Sequence, residues 1–538
     1  MEKRAFLAIA LSLLVLVLYQ EWITRQYGTP PPPAQQEQQA KEAKSATTES
    51  VTPSRPVEIK PAQTPPGLPT QDIRVETDNY IALFTSQGAR LKSFKFKHYR
   101  ASADPNSPPF EMIATVPGVP YPLGVKWSSA SATDDAAVAY RVDGGDLKLS
   151  GAAEGTLTFQ GTTPDGVTIT KKLNFSGAQY PMALEVVART PDGGALAPAV
   201  LLTAPSQHQT PDPEAPFEGL IALVDNKVKR EPVGDEFKKG KEFSGQLSWA
   251  GLGYTYFFMA LVPENGAAYR IAVQESGPEL ILSIAEATGK PNGGRYTFFV
   301  GPKELSVLEA IGKGMEKAID FGYFGFISIP FLYILHFFHQ FTGSYGIDII
   351  LLTVLLKILT APLTHKSYVS MKQMQKLQPQ MERLKEKFKD DREKLNKEIM
   401  EMYRRNGVNP LGGCLPMVVQ FPVFIGLYNA LYIPIELRHA PFLWIKDLSK
   451  PDWESLPFEL AGWHLGIPVL TILMGASMFV QQWMTPTAGD PNQRKLMLMM
   501  PLIFTFMFVT FPAGLTIYWL VNNVLSIAQQ WWINRSVK

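Results

Sequence analysis

Leu351-Leu352-Thr353-Val354-Leu355-Leu356-Lys357-Ile358-Leu359 decides how this chain reads. A single lysine stands inside a run of membrane-type side chains. A lysine at that depth costs roughly 2.5–3.5 kcal/mol on insertion scales, so it faces protein or a wet cavity and not lipid. The bland alternative is a lysine whose stem snorkels to a headgroup. Roughly two helical turns separate Lys357 from the Pro362–Lys366 end, which is far for that. Lys357 is therefore the best single pointer to function.

Working outward, the 538 residues allow a soluble domain beside a membrane domain, and the net charge of +2 names no partner. One cysteine, Cys414, excludes an internal disulfide, a cysteine metal site and a C-x-x-C motif. It reads as a small buried thiol. Met1-Glu2-Lys3-Arg4 followed by the apolar run Ala5–Tyr19 is a signal-like start without a small-x-small cleavage site. Residues 1–27 thus read as an uncleaved anchor with its amino terminus in the cytoplasm, which sends the next domain across the membrane. Residues 28–71, with Pro30–Pro33 and the Gln35–Gln39 tract, read as a disordered linker.

Residues 72–302 carry the period-two pattern of strands. Arg90-Leu91-Lys92-Ser93-Phe94-Lys95-Phe96-Lys97 alternates apolar and charged residues at its end. Thr156-Leu157-Thr158-Phe159 and Val167-Thr168-Ile169-Thr170 flank the turn Pro164-Asp165-Gly166. Many short strands predict a β-sandwich. Its His and Asp residues are scattered and read as solvated loop residues. From 303 the spacing turns helical: Leu308, Ile311, Met315 and Ile319 share a face opposite Glu309, Lys313, Glu316 and Lys317. Residues 303–342 are expected to form an interfacial amphipathic helix and an aromatic interfacial segment, the latter interrupted by Pro330.

The core, 343–538, holds predicted spans near 345–363, 411–433, 465–484, 496–511 and 515–533, six with the anchor, leaving both ends in the cytoplasm. The fifth span, at about 16 residues, is short for a hydrocarbon layer about 30 Å thick. Prolines 416, 422, 468 and 501 and the polar residues Gln420, Asn429, Gln481, Gln482, Thr505, Asn522 and Asn523 accompany the spans. With Lys357 and Asp348 they fit a bundle with a wet interior. Asp348 lies roughly 13 Å up the same helix and is too far to pair with the lysine. The loop 365–409 carries twelve basic and seven acidic residues, a net +5. Leu377, Met381, Leu384 and Phe388, then Leu395, Ile399 and Met402, repeat at helical spacing. Asp390-Asp391 can cap the second run and Gly407 can end it, so a basic cytoplasmic helical hairpin is expected. It either lies on the membrane surface, attracted to anionic lipid, or docks ribosomal RNA or an arriving chain. No Walker loop, Gly-rich fingerprint, Ser-His-Asp set or zinc spacing is visible, which disfavours an ATP-driven pump or an enzyme.

Asn409-Pro410-Leu411-Gly412-Gly413-Cys414-Leu415-Pro416, Gln420-Phe421-Pro422-Val423-Phe424 and Phe511-Pro512-Ala513-Gly514-Leu515-Thr516-Ile517-Tyr518-Trp519 together resemble the YidC/Oxa1/Alb3 family of membrane protein insertases. The layout, with a large first outer domain, is similar to the Gram-negative branch. The resemblance implies a multi-domain membrane protein: six transmembrane helices, five of them forming the core, plus an extracytoplasmic β-sandwich and a cytoplasmic hairpin. It implies a bacterial inner-membrane location with residues 28–302 in the periplasm. It also implies a hydrophilic groove open to cytoplasm and lipid, with Lys357 in it where many relatives carry arginine. The charge is kept and the planar fork is lost. Thr353, Tyr518 and Trp519 match groove or client-contact positions, and Gln420 and Gln481 match more weakly. The function implied is insertion and chaperoning of nascent inner-membrane proteins, with or without the Sec translocon, and with no cofactor, metal or small-molecule substrate. The alternative is a secondary transporter or channel with a solute site at Lys357, against which no internal repeat is seen.

Overall fold

The computed structural model describes residues 70–113, 116, 118–127, 134–205, 217–287, 294–389, 391–409, 415–460, 463–485 and 491–536. The expected anchor (1–27), the linker as far as residue 69, Asp390 and Cys414 lie outside them.

Alternating apolar residues fold 72–302 into two sheets over one apolar core. The smaller, five-stranded sheet contains β1 (Asp72–Glu76), β2 (Tyr80–Thr85), β3 (Arg90–Arg100) and β4 (Pro109–Glu111). The larger has 14 strands and pivots on β5 (Lys241–Tyr254). The first half of β5 pairs with Ala268–Ser276, its second half with Phe217–Val224 and Phe257–Pro263. Aromatic contacts join the two sheets: Phe84 meets Phe175 at 5.7 Å and Phe96 meets Phe257 at 4.7 Å. The expected turn at Gly166 joins two paired strands, Glu154–Thr162 and Thr168–Ser176.

One expectation fails in this domain, and a bulge buries a further charge. Arg90 is buried, because the register between β2 and β3 slips at Lys92 and lets Arg90 and Leu91 both turn inward. Asp135 is fully buried too, so it is not a solvated loop residue.

The predicted single helix over 303–320 breaks in two. α1 (Leu305–Ile311) stops at Gly312, and a 3-10 turn follows over Met315–Ala318. Gly312, Lys313 and Gly314 all have positive φ, which no α-helix accommodates. Leu308, Met315 and Ile319 are buried, as part of the β-domain core, so this apolar face is covered by protein and not by lipid.

The segment 321–341 becomes α2 (Gly325–Thr342), which contains Pro330. Phe331, Leu332 and Leu335 are buried, whereas Phe326, Tyr333, Phe337 and Phe341 are exposed. α3 (Tyr345–Lys376) passes the expected end at 363 and continues through Pro362. Near that proline, the Thr360 and Thr364 hydroxyls donate to the carbonyls of Leu356 and Thr360, so their own polar groups are met within the helix. The hairpin is therefore shorter than expected: α4 (Gln378–Lys387) and α5 (Arg392–Arg405). Leu377, Met381 and Met402 form its core, and the Asp391 carboxylate accepts from Lys394 N as the cap. α6 is Leu415–Tyr432.

The fourth expected span starts late, because Pro457–Leu460 and Trp463–Gly466 pair as a β-hairpin. Pro468 then precedes α7 (Val469–Met484). α8 (Pro491–Phe508) ends ahead of Phe511-Pro512, and α9 (Ala513–Ser536) follows. Among the described residues only α3 is, by length and composition, long and apolar enough to cross a membrane. α7 and α8 reach only about 24 and 27 Å. α9 packs on α3, α6 and α7; α2 packs on α3 and α6; α7 packs on α8. At the last contact a side chain at Gly475 would collide with Thr505, so the two short helices touch backbone to side chain.

Candidate functional site

The bundle has a dry end and an open end. On α3, Gly346, Asp348, Ile349, Leu352 and Thr353 are buried; from Val354 to Lys366 no position is, until Ser367. On α9 every residue from Ala513 to Tyr518 is buried. Leu427, Leu431, Leu437, Leu448, Leu470, Met474 and Phe508 complete this apolar plug. It lies at the end nearer the β-rich domain.

Polar groups at the plugged end are tied down. Asp348 is fully buried and accepts from Thr342 Oγ1; its other oxygen lies 2.7 Å from His339 Nδ1. Asp452 accepts from Leu470 N and Thr471 Oγ1, both at 2.7 Å, and so holds the start of α7. Asp348 thus serves the seal and not the wet interior expected of it.

Lys357 sits one turn beyond the plug. Its Nζ donates to Ser526 Oγ at 2.5 Å, and that hydroxyl donates to the Asn522 carbonyl at 2.7 Å. Among the described residues no carboxylate pairs with it. An ammonium has three donors, so this arrangement leaves capacity for water or an incoming carboxylate. The ammonium therefore turns to α9 and not to lipid.

The other expected residues divide. Thr353 is buried and donates to the Ile349 carbonyl, so its hydroxyl is spent within α3. Tyr518 is buried at the plug boundary, and its hydroxyl accepts from Gln420 Nε2, which joins α9 to α6. Trp519 is half-buried, edge-on to Phe424 at 5.1 Å and tilted on Phe508 at 5.1 Å. Gln481 is bonded to Tyr368 on α3, and its carbonyl accepts from Thr485 Oγ1. The structure thus joins Lys357 to α9, and Gln420 to Tyr518. It does not bring Gln481 to Lys357.

Sequence reasoning singled out Asn522 and Asn523 but missed the rest of the α9 ladder, Ser526, Gln529 and Gln530 on the same helix. Asn523 Nδ2 donates to Ser477 Oγ at 3.0 Å, Gln529 Nε2 to the Ala361 carbonyl at 3.0 Å, and Gln530 Nε2 to the Met484 carbonyl at 2.6 Å. Tyr518, Asn522, Ser526 and Gln529-Gln530 recur three or four apart, a polar stripe at helical spacing that could have signalled it.

A β-rich domain thus stands on a helical bundle that is buried at one end and polar at the other. Residues 72–334 match the family described as YidC periplasmic domain, and residues 337–538 match the 60Kd inner membrane protein family. The membrane protein insertase YidC of Syntrophus aciditrophicus is 38% identical over 561 residues, covering 99% of this chain and all of that protein. That of Citrifermentans bemidjiense is 38% identical over 558 residues, covering both chains fully. That of Geobacter sp. strain M21 is 41% identical over 477 residues, covering 87% of this chain and 86% of that one. A solved active YidC insertase, with its first transmembrane domain resolved, is 16% identical with a TM-score of 0.37, covering 85% of this chain and 91% of that one. On the family matches and these relatives, the chain belongs to the YidC family of membrane protein insertases. It is an inner-membrane protein with a periplasmic β-rich domain.

Proposed function

We propose that this protein inserts nascent inner-membrane proteins and helps them fold, alone or beside the Sec translocon, through a groove centred on Lys357. One observation carries the reading: Lys357 lies one turn beyond a dry plug and rests on the Ser526 hydroxyl rather than on a carboxylate. A client's short polar segment enters from the unsealed side, where water and the ammonium lower its desolvation cost. The client's apolar helix then moves into lipid past α6 and α8, driven by its own burial. Short α7 and α8 favour a locally thinned bilayer and a shorter path. The step is physical, with no covalent intermediate, and needs no cofactor.

The topology that goes with it has six spans: the anchor, α3, α6, α7, α8 and α9. Both termini and the α4–α5 hairpin are cytoplasmic. The hairpin's basic residues meet anionic lipid or the ribosome. Lys357, Tyr518, Trp519 and Gln420 line or frame the groove. Thr353 and Gln481 act through helix packing.

The test is a depletion strain carrying Lys357→Glu. Insertion of single-span clients falls while the protein still accumulates. Normal insertion and growth there would remove the need for a positive charge and end the proposal.

A further inference from the structure

Where β3 ends, its following loop meets the segment after α6 and encloses an open cavity of about 620 Å³. Its walls carry Arg100, Lys446, Arg438, His98 and His439, against one carboxylate, Asp104. Three of these are arginine or lysine side chains. His439 Nε2 lies 4.0 Å from Asp447 Oδ2, so that ring is set against a carboxylate behind the wall.

The cations differ in exposure. Arg438 is 8% exposed, donates to the Arg100 carbonyl at 3.1 Å, and lies 5.4–5.6 Å from the ring centres of Phe110, Tyr256 and Phe257. It is a fixed charge at the back. Arg100 and Lys446 are exposed at the rim.

The cavity also has a defined height. Phe442 packs so closely on Gly346 that any side chain there would strike its ring, which pins this loop to the periplasmic end of α3. Phe341, 76% exposed, ends α2 just before α3 begins. Leu443, also 76% exposed and held at φ 54°, points an apolar side chain outward beside the cavity. A cationic hollow in the loop held against the end of a spanning helix, with Leu443 exposed two residues from Pro441 of its wall, is complementary to a phosphate carrying acyl chains.

We propose that this cavity binds a phosphate-bearing anion, supplied by the headgroup of an anionic phospholipid of the periplasmic leaflet. Arg438 and Arg100 hold phosphate oxygens, Lys446 adds a point charge, and Leu443 lies against the acyl region. The site is on the opposite side of the plug from Lys357 and does not depend on the insertion reading.

The full-length protein in nanodiscs of phosphatidylethanolamine and phosphatidylglycerol provides the test, read by native mass spectrometry of retained lipid. The wild type holds a phosphatidylglycerol that Arg100→Glu/Lys446→Glu retains roughly tenfold less. Arg100→Lys/Lys446→Arg keeps it, which separates charge from folding. In lipid-free detergent, inorganic phosphate tests the free anion as source: it raises the thermal midpoint of the wild type and the conservative pair, but not of the reversed pair. Lipid loss in the first arm supports a headgroup; a phosphate effect without lipid loss overturns the headgroup and leaves the free ion. Equal lipid retention by both pairs, with no phosphate effect, overturns the site. Client insertion is measured on the same variants, so that a failure of the Lys357 groove is seen separately.

Discussion

Lys171 in the periplasmic domain and Lys357 in the bundle are both withdrawn from bulk water, and the protein treats them in opposite ways. Lys171 is 1% exposed; its Nζ meets Asp135 Oδ2 at 2.7 Å and donates to the carbonyls of Gly88, Ala89 and Leu123. Arg90 and the Tyr140 hydroxyl close the network on the same carboxylate. Burial pushes the Lys171 ammonium down to about 8, with Asp135 pulling the other way. Among the described residues Lys357 Nζ meets one partner, the Ser526 hydroxyl. The first lysine is saturated and locks two sheets together. The second meets a single hydroxyl among the described residues, which is what the proposed client groove draws on. A buried charge thus marks function by the donors it leaves unspent, not by being buried.

The largest effect expected from breaking this contrast is at Asp135. Asp135→Ala leaves the buried Lys171 ammonium with carbonyl partners only, while Arg90 keeps Asp134 at 2.7 Å, and should cost about 3–5 kcal/mol. Urea unfolding of the full-length protein, followed by β-sheet circular dichroism, checks it; a loss under about 1 kcal/mol would make the network ornamental.

Lys357→Met comes next, with the opposite profile. Insertion of clients with acidic outer segments should fall roughly tenfold, about 1.4 kcal/mol. The thermal midpoint should hold or rise, because an incompletely paired buried charge is replaced by an apolar side chain. A fall in stability matching the fall in activity would show Lys357 to be structural.

Ser526→Ala sharpens the comparison. It removes one hydrogen bond worth about 1 kcal/mol and frees the ammonium. Insertion should change by less than about fivefold, and clients with neutral outer segments should be unaffected. A loss equal to that of Lys357→Met would move the essential group from the lysine to the hydroxyl.

The smallest effect concerns Glu279, whose carboxyl is pushed up to about 7 by burial and then by the Asp134 charge, with Arg90 opposing. From about 4.5 to 7 the folded protein keeps a proton that the unfolded chain has released. Stability therefore falls as pH rises through that window. Glu279→Gln removes this penalty, so its gain in midpoint should be near zero at pH 4 and reach a plateau above 7. A gain that shrinks as pH rises would reverse the assignment.

Much of this was legible in one dimension because the signals are local. Alternation in Phe94-Lys95-Phe96-Lys97, the four-three-four spacing of Leu377 to Phe388 and the apolar run around Lys357 each report a face that has to be buried. Helix ends were less legible. The break at Gly312-Lys313-Gly314, the passage of α3 through Pro362 and the hairpin that delays α7 depend on which neighbour covers a backbone group, and spacing does not carry that.

The sequence by itself determined the family, the β-then-helix order and the lysine at membrane depth, since composition, motif and period are properties of consecutive residues. Only the tertiary structure decided which partner each buried charge meets: Asp135 for Lys171, Ser526 for Lys357, His339 for Asp348. Those partners are 36, 169 and nine positions away, at distances fixed by packing between separate elements. Electrostatic role depends on that distance and on the local dielectric, and neither is written in the order of the residues.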